Sequence, residues 1–225
     1  MKANKKIERN PFPQLGNPNS PSVTINPVGY EYELKRRVEM IERNINNQPL
    51  LIPIIGQWGQ GKSTILKYFE KKVLDDCYKK NIVLDDVEDF KSKIQDAYIK
   101  YLDLKDRYKG LIILLDEGQN LVQTIRKFDK KQKETGEIDQ QFTIFLKDLR
   151  NFFIDNKSEK VDSREICLLF GMHPEIYENI KKYAPDILQR IHTNLLELSD
   201  MNFYQAYEVV NQILKKNELD LRNIF

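Results

Sequence analysis

Gly56-Gln57-Trp58-Gly59-Gln60-Gly61-Lys62-Ser63 matches the phosphate-loop pattern G-x-x-x-x-G-K-[ST] at every fixed position. Leu50-Leu51-Ile52-Pro53-Ile54-Ile55 precedes it as a short apolar run of buried-strand character, and Thr64-Ile65-Leu66-Lys67-Tyr68-Phe69-Glu70 follows with helical spacing. Strand, glycine loop and helix are the context the motif needs. A helix N-terminus presents unpaired N–H groups and a partial positive charge to an anion, and glycines let the backbone turn tightly against phosphate oxygens. On this reading residues Gly56 to Thr64 hold the phosphates of a nucleoside triphosphate, Lys62 bridges the β- and γ-phosphates, and the Ser63 hydroxyl ligates Mg²⁺.

The second chemical landmark is Leu111-Ile112-Ile113-Leu114-Leu115-Asp116-Glu117, a continuous aliphatic run ending in two carboxylates. Such a run reads as a buried parallel strand, and ligands of open α/β sheets bind at the carboxyl ends of strands. Asp116 is therefore the candidate Mg²⁺ holder, directly or through water. Glu117 is the candidate general base that orients and deprotonates the attacking water. Taken alone, the pair is equally an acidic strand end at a turn; the phosphate loop favours the catalytic reading. A third apolar run, Glu165 to Gly171, leads to Met172, His173 and Pro174. His173 is either a contact for the γ-phosphate or lytic water, or a cap of the helix starting at Pro174.

The remaining elements follow from periodicity. Leu34, Val38, Ile41 and Ile45 share a helix face, closed by Asn46-Asn47-Gln48-Pro49. Ile65, Leu66, Phe69 and Val73 form the inner face of the loop's helix. A short strand is expected at Ile82-Val83-Leu84. A helix over about Glu88 to Tyr108 turns Phe90, Ile94, Ala97, Tyr98, Tyr101 and Leu104 inward. Ile138, Phe142, Phe145, Leu146, Leu149 and Phe153 define another amphipathic helix. A last strand is expected over Thr193 to Leu198, with Ser199-Asp200 capping a final helix whose apolar residues are Phe203, Ala206, Tyr207, Val210, Ile213 and Leu214. Residues 1–27 hold five of the nine prolines and read as an extended basic arm. The charged stretch 126–137 reads as an exposed loop or helix end with a basic bias, more in keeping with a solvated run than with a DNA-backbone contact.

Bulk properties bound the class. The 225 residues suffice for one large α/β domain, and 36 basic against 34 acidic residues imply no nucleic-acid or membrane partner through net charge. No apolar run approaches the roughly 20 residues of a membrane span, and the basic N-terminus lacks the apolar core of a secretory signal. Cys77 and Cys167 have no metal-binding spacing and read as reduced thiols of a cytoplasmic protein.

Four stretches together resemble an AAA+ ATPase of the group containing ExeA-type secretion ATPases and the TnsC and TniB transposition regulators, with origin-recognition-type ATPases as wider relatives. They are Val28-Gly29-Tyr30-Glu31-Tyr32-Glu33-Leu34, preceded by Asn10-Pro11-Phe12; the phosphate loop; Leu115-Asp116-Glu117-Gly118-Gln119-Asn120-Leu121; and Phe170 to Glu175, followed by Leu188-Gln189-Arg190-Ile191 and Leu196-Glu197-Leu198. The resemblance spans about Asn10 to Leu214. It implies a three-layer P-loop NTPase sandwich on a five-stranded parallel sheet of order 5-1-4-3-2, with an arm (1–27), an ATPase core (28–200) and the start of a helical lid (201–225). It alone implies that the nucleotide is ATP. It implies an ATPase that forms homo-oligomers on double-stranded DNA, serves transposition or DNA targeting, and answers to a transposase or other effector protein. It also implies that Arg190 reaches the γ-phosphate of a neighbouring subunit. The chain departs from the group at Gly29-Tyr30 (usually Gly-Arg), at His173 (usually Gln or Asn) and at Trp58, which is similar to the loops of KAP-type ATPases. A STAND- or KAP-like signalling ATPase gating a partner protein is the alternative. A nucleotide-binding scaffold without turnover is disfavoured by the complete Lys62, Ser63, Asp116 and Glu117 set.

Overall fold

Successive residues of each central strand point to opposite faces of a sheet, and here both faces are buried. A computed structural model of the chain describes residues 27–72, 74–84, 88–117, 140–153, 161–191 and 194–216. Five strands, β1 (Leu50–Ile55), β2 (Tyr78–Leu84), β3 (Leu111–Glu117), β4 (Ile166–Met172) and β5 (Leu196–Glu197), form one parallel sheet of order β2-β3-β4-β1-β5. This is the order the family resemblance implies. In register, Leu111 to Asp116 of β3 run beside Ile166 to Gly171 of β4, and Leu50 to Ile55 of β1 beside Cys167 to Met172.

One side of the sheet buries Leu111, Ile113 and Leu115 with Ile166, Leu168, Phe170 and Met172. Against them pack α3 (Asp89–Leu102), α4 (Gln140–Phe153), α5 (Pro174–Tyr183) and α6 (Pro185–Ile191). The other side buries Leu50, Ile52, Ile54, Ile112, Leu114, Cys167 and Leu169 under α1 (Glu31–Asn44) and α2 (Lys62–Lys72). The strands therefore read as unbroken apolar runs because two helical layers each take alternate residues. Phe145 of α4 is fully buried among Phe90, Phe142 and Phe170, with ring centroids 5.1, 6.0 and 6.4 Å away.

Pro53 lies inside a central strand, where a missing N–H ordinarily costs a ladder bond. The Ile55 carbonyl accepts from Leu198 N, while Gly56 N donates to the Met172 carbonyl. Pro53 shares the parity of Ile55, so it faces β5 and not β4. The β5 ladder begins only at Leu196 opposite Ile54, so the missing N–H of Pro53 falls before that pairing starts, and it takes no bond from the β4 side.

Several boundaries differ from the periodicity reading. β2 begins at Tyr78, since pairing with β3 extends a strand whose Lys79-Lys80-Asn81 lacks an apolar pattern. α3 ends at Leu102 and gives way to turns over 103–107. β5 is only two residues long. The final helix, α7 (Phe203–Lys216), is capped by Asn202, not by Ser199-Asp200. Asn202 Oδ1 accepts from Gln205 N at 2.9 Å, and Gln205 Oε1 accepts from Asn202 N at 2.9 Å, a reciprocal capping box. Ile213 and Leu214 are buried as expected, but Phe203 is 87% exposed and Tyr207 48% exposed. The first turns of α7 thus project from the body. Val73, Ile138, the arm up to residue 26 and the stretch 126–137 lie outside the described residues.

Candidate nucleotide site

α2 begins at Lys62, immediately after the glycine loop, and carries no acidic residue in its first turn. Its positive end is therefore available to an anion. Gly59 and Gly61 have φ of +83° and +97°, the left-handed region that side-chain-bearing residues rarely adopt. Gly56 has a different constraint. A Cβ there would lie 3.1 Å from Gln60 Oε1 and 3.2 Å from Leu198 Cβ, so the loop's first residue packs backbone-close against the segment after β5.

The Lys62 side chain folds over the loop and is buried. Its Nζ donates to the Gly56 carbonyl at 2.7 Å and to the Gln57 carbonyl at 3.1 Å, and lies 5.4 Å from the centre of the Trp58 ring. Ser63 Oγ donates to Asp116 Oδ2 at 2.7 Å, joining the start of α2 to the end of β3. The register neighbour of Asp116 on β4 is Gly171, where a Cβ would sit 3.3 Å from Leu66 Cδ1 and 3.4 Å from Asp116 Oδ1. Trp58, Gly59, Gly61, Lys62, Ser63, Thr64 and Asp116 line a cavity of about 260 Å³.

Lys67, one turn beyond Ser63, belongs to the same field and escaped the sequence reading. Partial burial and Lys71 lower its affinity for a proton, while Glu70 and Asp116 raise it; the net shift is downward.

His173 stands directly after β4 and performs the capping role. Its Nδ1 accepts from Glu175 N at 3.3 Å at the start of α5. Its Nε2 lies 2.8 Å from Gln57 Oε1. With one nitrogen accepting and the other facing a carbonyl oxygen, this geometry suits the neutral Nε2–H tautomer. The imidazole also lies 5.6 Å from the Trp58 ring and is buried. His173 therefore joins the phosphate loop as well as capping a helix.

Glu117 ends β3 opposite Leu84, and Arg190 lies in α6. Their side chains fall outside the described part of the structure. Among the described residues no group of three or more His, Cys, Asp or Glu side chains is placed to hold a metal ion. The Ser63 and Asp116 oxygens instead suit a Mg²⁺ ion, which commonly takes one or two protein oxygens and completes its shell with phosphate and water.

Sequence reasoning gave no separate role to the amide side chains of Gln57 and Gln60 and read Ser199 and Asp200 only as a helix cap, whereas the structure joins Asp200 to the loop and Ser199 to Tyr30. Gln57 N donates to Gln60 Oε1 at 2.6 Å, and Gln60 Nε2 donates to Asp200 Oδ1 at 2.8 Å. Ser199 N donates to Tyr30 Oη at 2.8 Å. Glutamine at a variable loop position carries no local signal of such a partner.

No family model and no curated protein matches this chain. Solved structures share its fold. The ORC2 protein of Aeropyrum pernix, in ADPNP–ADP complexes, superposes with a TM-score of 0.56 at 14% identity over 84% of this chain and 52% of that one. The ORC1 protein of the same organism, in complex with DNA, gives 0.55 at 16% identity over 88% and 52%. Cdc6p of Pyrobaculum aerophilum gives 0.53 at 15% identity over 88% and 52%. The chain spans about half the length of these proteins, and at such identities the likeness is one of architecture. The fold shared with these structures is an α/β sandwich on a five-stranded parallel sheet, with the glycine loop, Asp116 and His173 at the carboxyl edge of that sheet.

Proposed function

We propose that the chain is a Mg²⁺-dependent, ATP-binding and ATP-hydrolysing AAA+ switch that assembles with further copies of itself on double-stranded DNA and regulates DNA targeting, as transposition regulators do. The observation that carries the nucleotide part is the Ser63–Asp116 hydrogen bond beside the buried Lys62 ammonium in a glycine loop with two left-handed residues. DNA as partner rests on the sequence resemblance and on the shared fold with a protein solved in complex with DNA.

In this reading the loop N–H groups and Lys62 bind the phosphate chain, and Ser63 and Asp116 hold Mg²⁺. Bound Mg²⁺ supplies neutralising charge to the phosphate oxygens. Glu117 accepts a proton from the attacking water. Arg190, on α6, reaches a neighbouring subunit's nucleotide and stabilises charge developing there, which makes turnover depend on assembly. His173, at the end of β4, stays joined to the loop through Gln57.

The test is size distribution by light scattering with and without ATP and Mg²⁺, repeated with duplex DNA. Growth into a large assembly only with ATP and DNA is the expected result, with Arg190→Ala binding ATP as a monomer but losing assembly-stimulated hydrolysis. A monomer under every condition, despite bound ATP, overturns the assembly reading. It favours the alternative that Trp58 suggests, a STAND- or KAP-like ATPase that gates a partner protein. Normal hydrolysis by Arg190→Ala removes the trans role of that residue.

A further inference from the structure

The two glutamines in the variable positions of the phosphate loop do not point idly into solvent. Gln57 engages three groups. Its side-chain Oε1 meets His173 Nε2 at 2.8 Å, its carbonyl accepts from Lys62 Nζ at 3.1 Å, and its N–H donates to Gln60 Oε1 at 2.6 Å. Gln60 is bonded at both ends of its amide. Oε1 receives the Gln57 N–H, and Nε2 donates to Asp200 Oδ1 at 2.8 Å. Asp200 lies two residues before Asn202, the cap of α7. A continuous chain therefore runs His173–Gln57–Gln60–Asp200, from the end of β4, through the phosphate loop, to the entrance of the last helix.

The same entrance is held from other sides. Ser199 N donates to Tyr30 Oη, Leu198 N donates to the Ile55 carbonyl at 2.7 Å, and Gly29 lies so close to α7 that a Cβ there would overlap Gln205. Those contacts join the segment before α7 to β1, Tyr30 and Gly29. The Gln60–Asp200 hydrogen bond runs from the loop itself, beside the packing of Gly56 against Leu198.

We propose that Gln60 is a positioning residue that couples the phosphate loop to the start of α7, so that occupancy of the loop is transmitted to that helix through Asp200. Only an amide at position 60 satisfies both ends. A carboxylate keeps an acceptor for Gln57 N–H but has no donor for Asp200 and repels it. Filling the loop fixes the Gln57–Gln60 turn, and through the Nε2–Oδ1 bond it fixes Ser199 to Asn202. The inference rests on the nucleotide-binding reading for its trigger, but not for the bond.

The experiment is backbone hydrogen exchange over residues 199–209 of the full chain, first without nucleotide. Gln60→Ala, Gln60→Glu and Asp200→Ala are each expected to speed exchange there about three- to tenfold, the scale of one lost hydrogen bond. The Gln60→Ala/Asp200→Ala double variant should be no faster than either single one, because both remove the same bond. Asp200→Asn keeps an acceptor oxygen and should restore the wild-type rate. Unchanged exchange in the single variants, or additive effects in the double, overturns the coupling. The second arm adds ADP, with binding followed by calorimetry. Wild-type protein should then exchange more slowly over 199–209, whereas Asp200→Ala, which lacks the same bond but lies outside the loop, should bind ADP without that slowing. Equal slowing in Asp200→Ala also overturns the proposal. Failure of wild-type protein to bind ADP overturns the nucleotide reading and with it the trigger, while the nucleotide-free cycle still decides whether the bond couples loop and helix.

Discussion

On the proposed reading, nucleotide affinity turns on Lys62. Its ammonium is already buried and held by two loop carbonyls, so a phosphate would replace those partners without first stripping the amine of bulk water. Charge-assisted hydrogen bonds in such surroundings are about twice as strong as neutral ones. Lys62→Ala should weaken ADP binding by on the order of a hundredfold, about 3 kcal/mol, as read by calorimetric titration. Glu117→Gln should behave differently. It removes the proton acceptor and leaves the phosphate contacts, so binding within about threefold of wild type with turnover reduced at least about a hundredfold is the expected pattern. Equal losses in both quantities would show that Glu117 holds nucleotide and is not the base. Because His173 is engaged by both Glu175 N–H and Gln57, its replacement should disturb the loop and α5 together.

At the scale of elements, α4 shows how packing sets stability. Phe145 is fully buried against three other aromatic rings, and a cavity in that cluster cannot close without moving α3 or β4. Phe145→Ala should cost about 3–5 kcal/mol in urea unfolding. The α4–α6 junction is electrostatic. Arg150 grips Asp186 through both carboxylate oxygens at 2.6 and 2.8 Å, and this hydrogen bonding draws the Asp186 carboxyl below its ordinary range despite partial burial. A depressed carboxyl contributes stability that is complete above its unfolded pKa of about 4 and fades as pH falls through the folded value. Both side chains are more than a third exposed, so screening limits the effect. Asp186→Asn should therefore cost under about 1 kcal/mol at pH 7, and the difference from wild type should vanish as pH drops below about 4. A deficit that persists at pH 2 would mean that packing, not charge, holds α6.

For the whole molecule, burial covers both thiols, Cys167 within the sheet and Cys77 in the turn before β2. Cys167 is wholly enclosed in β4. Burial and then Asp76 push the Cys77 thiol up to about 12. Neither should react with a disulfide reagent at pH 8 in the folded protein, and both should react once it is unfolded in guanidinium. Fast modification of either in native protein would show that the sheet opens. None of the described helices is long and apolar enough to cross a membrane.

Local chemistry made much of this protein legible in its sequence. A glycine loop before a lysine and a serine, and an aliphatic run ending in Asp116, each specify backbone conformation and charge within a few residues. Periodicity did the same for α1, α3 and α4, because burial of one face repeats along the chain. Tertiary structure alone decided what depends on distant partners. β2 gained Tyr78 to Asn81 because β3 offered a pairing edge to a segment with no apolar alternation. Ser199 and Asp200, suited by type to cap a helix, are engaged by Tyr30 and Gln60, and Asn202 caps instead because Gln205 lies at the reciprocal position. His173 could be a cap or a site residue on local grounds. It is joined to both because the turn after β4 sets its two ring nitrogens between α5 and the phosphate loop, a juxtaposition of residues 116 positions apart that no local pattern encodes.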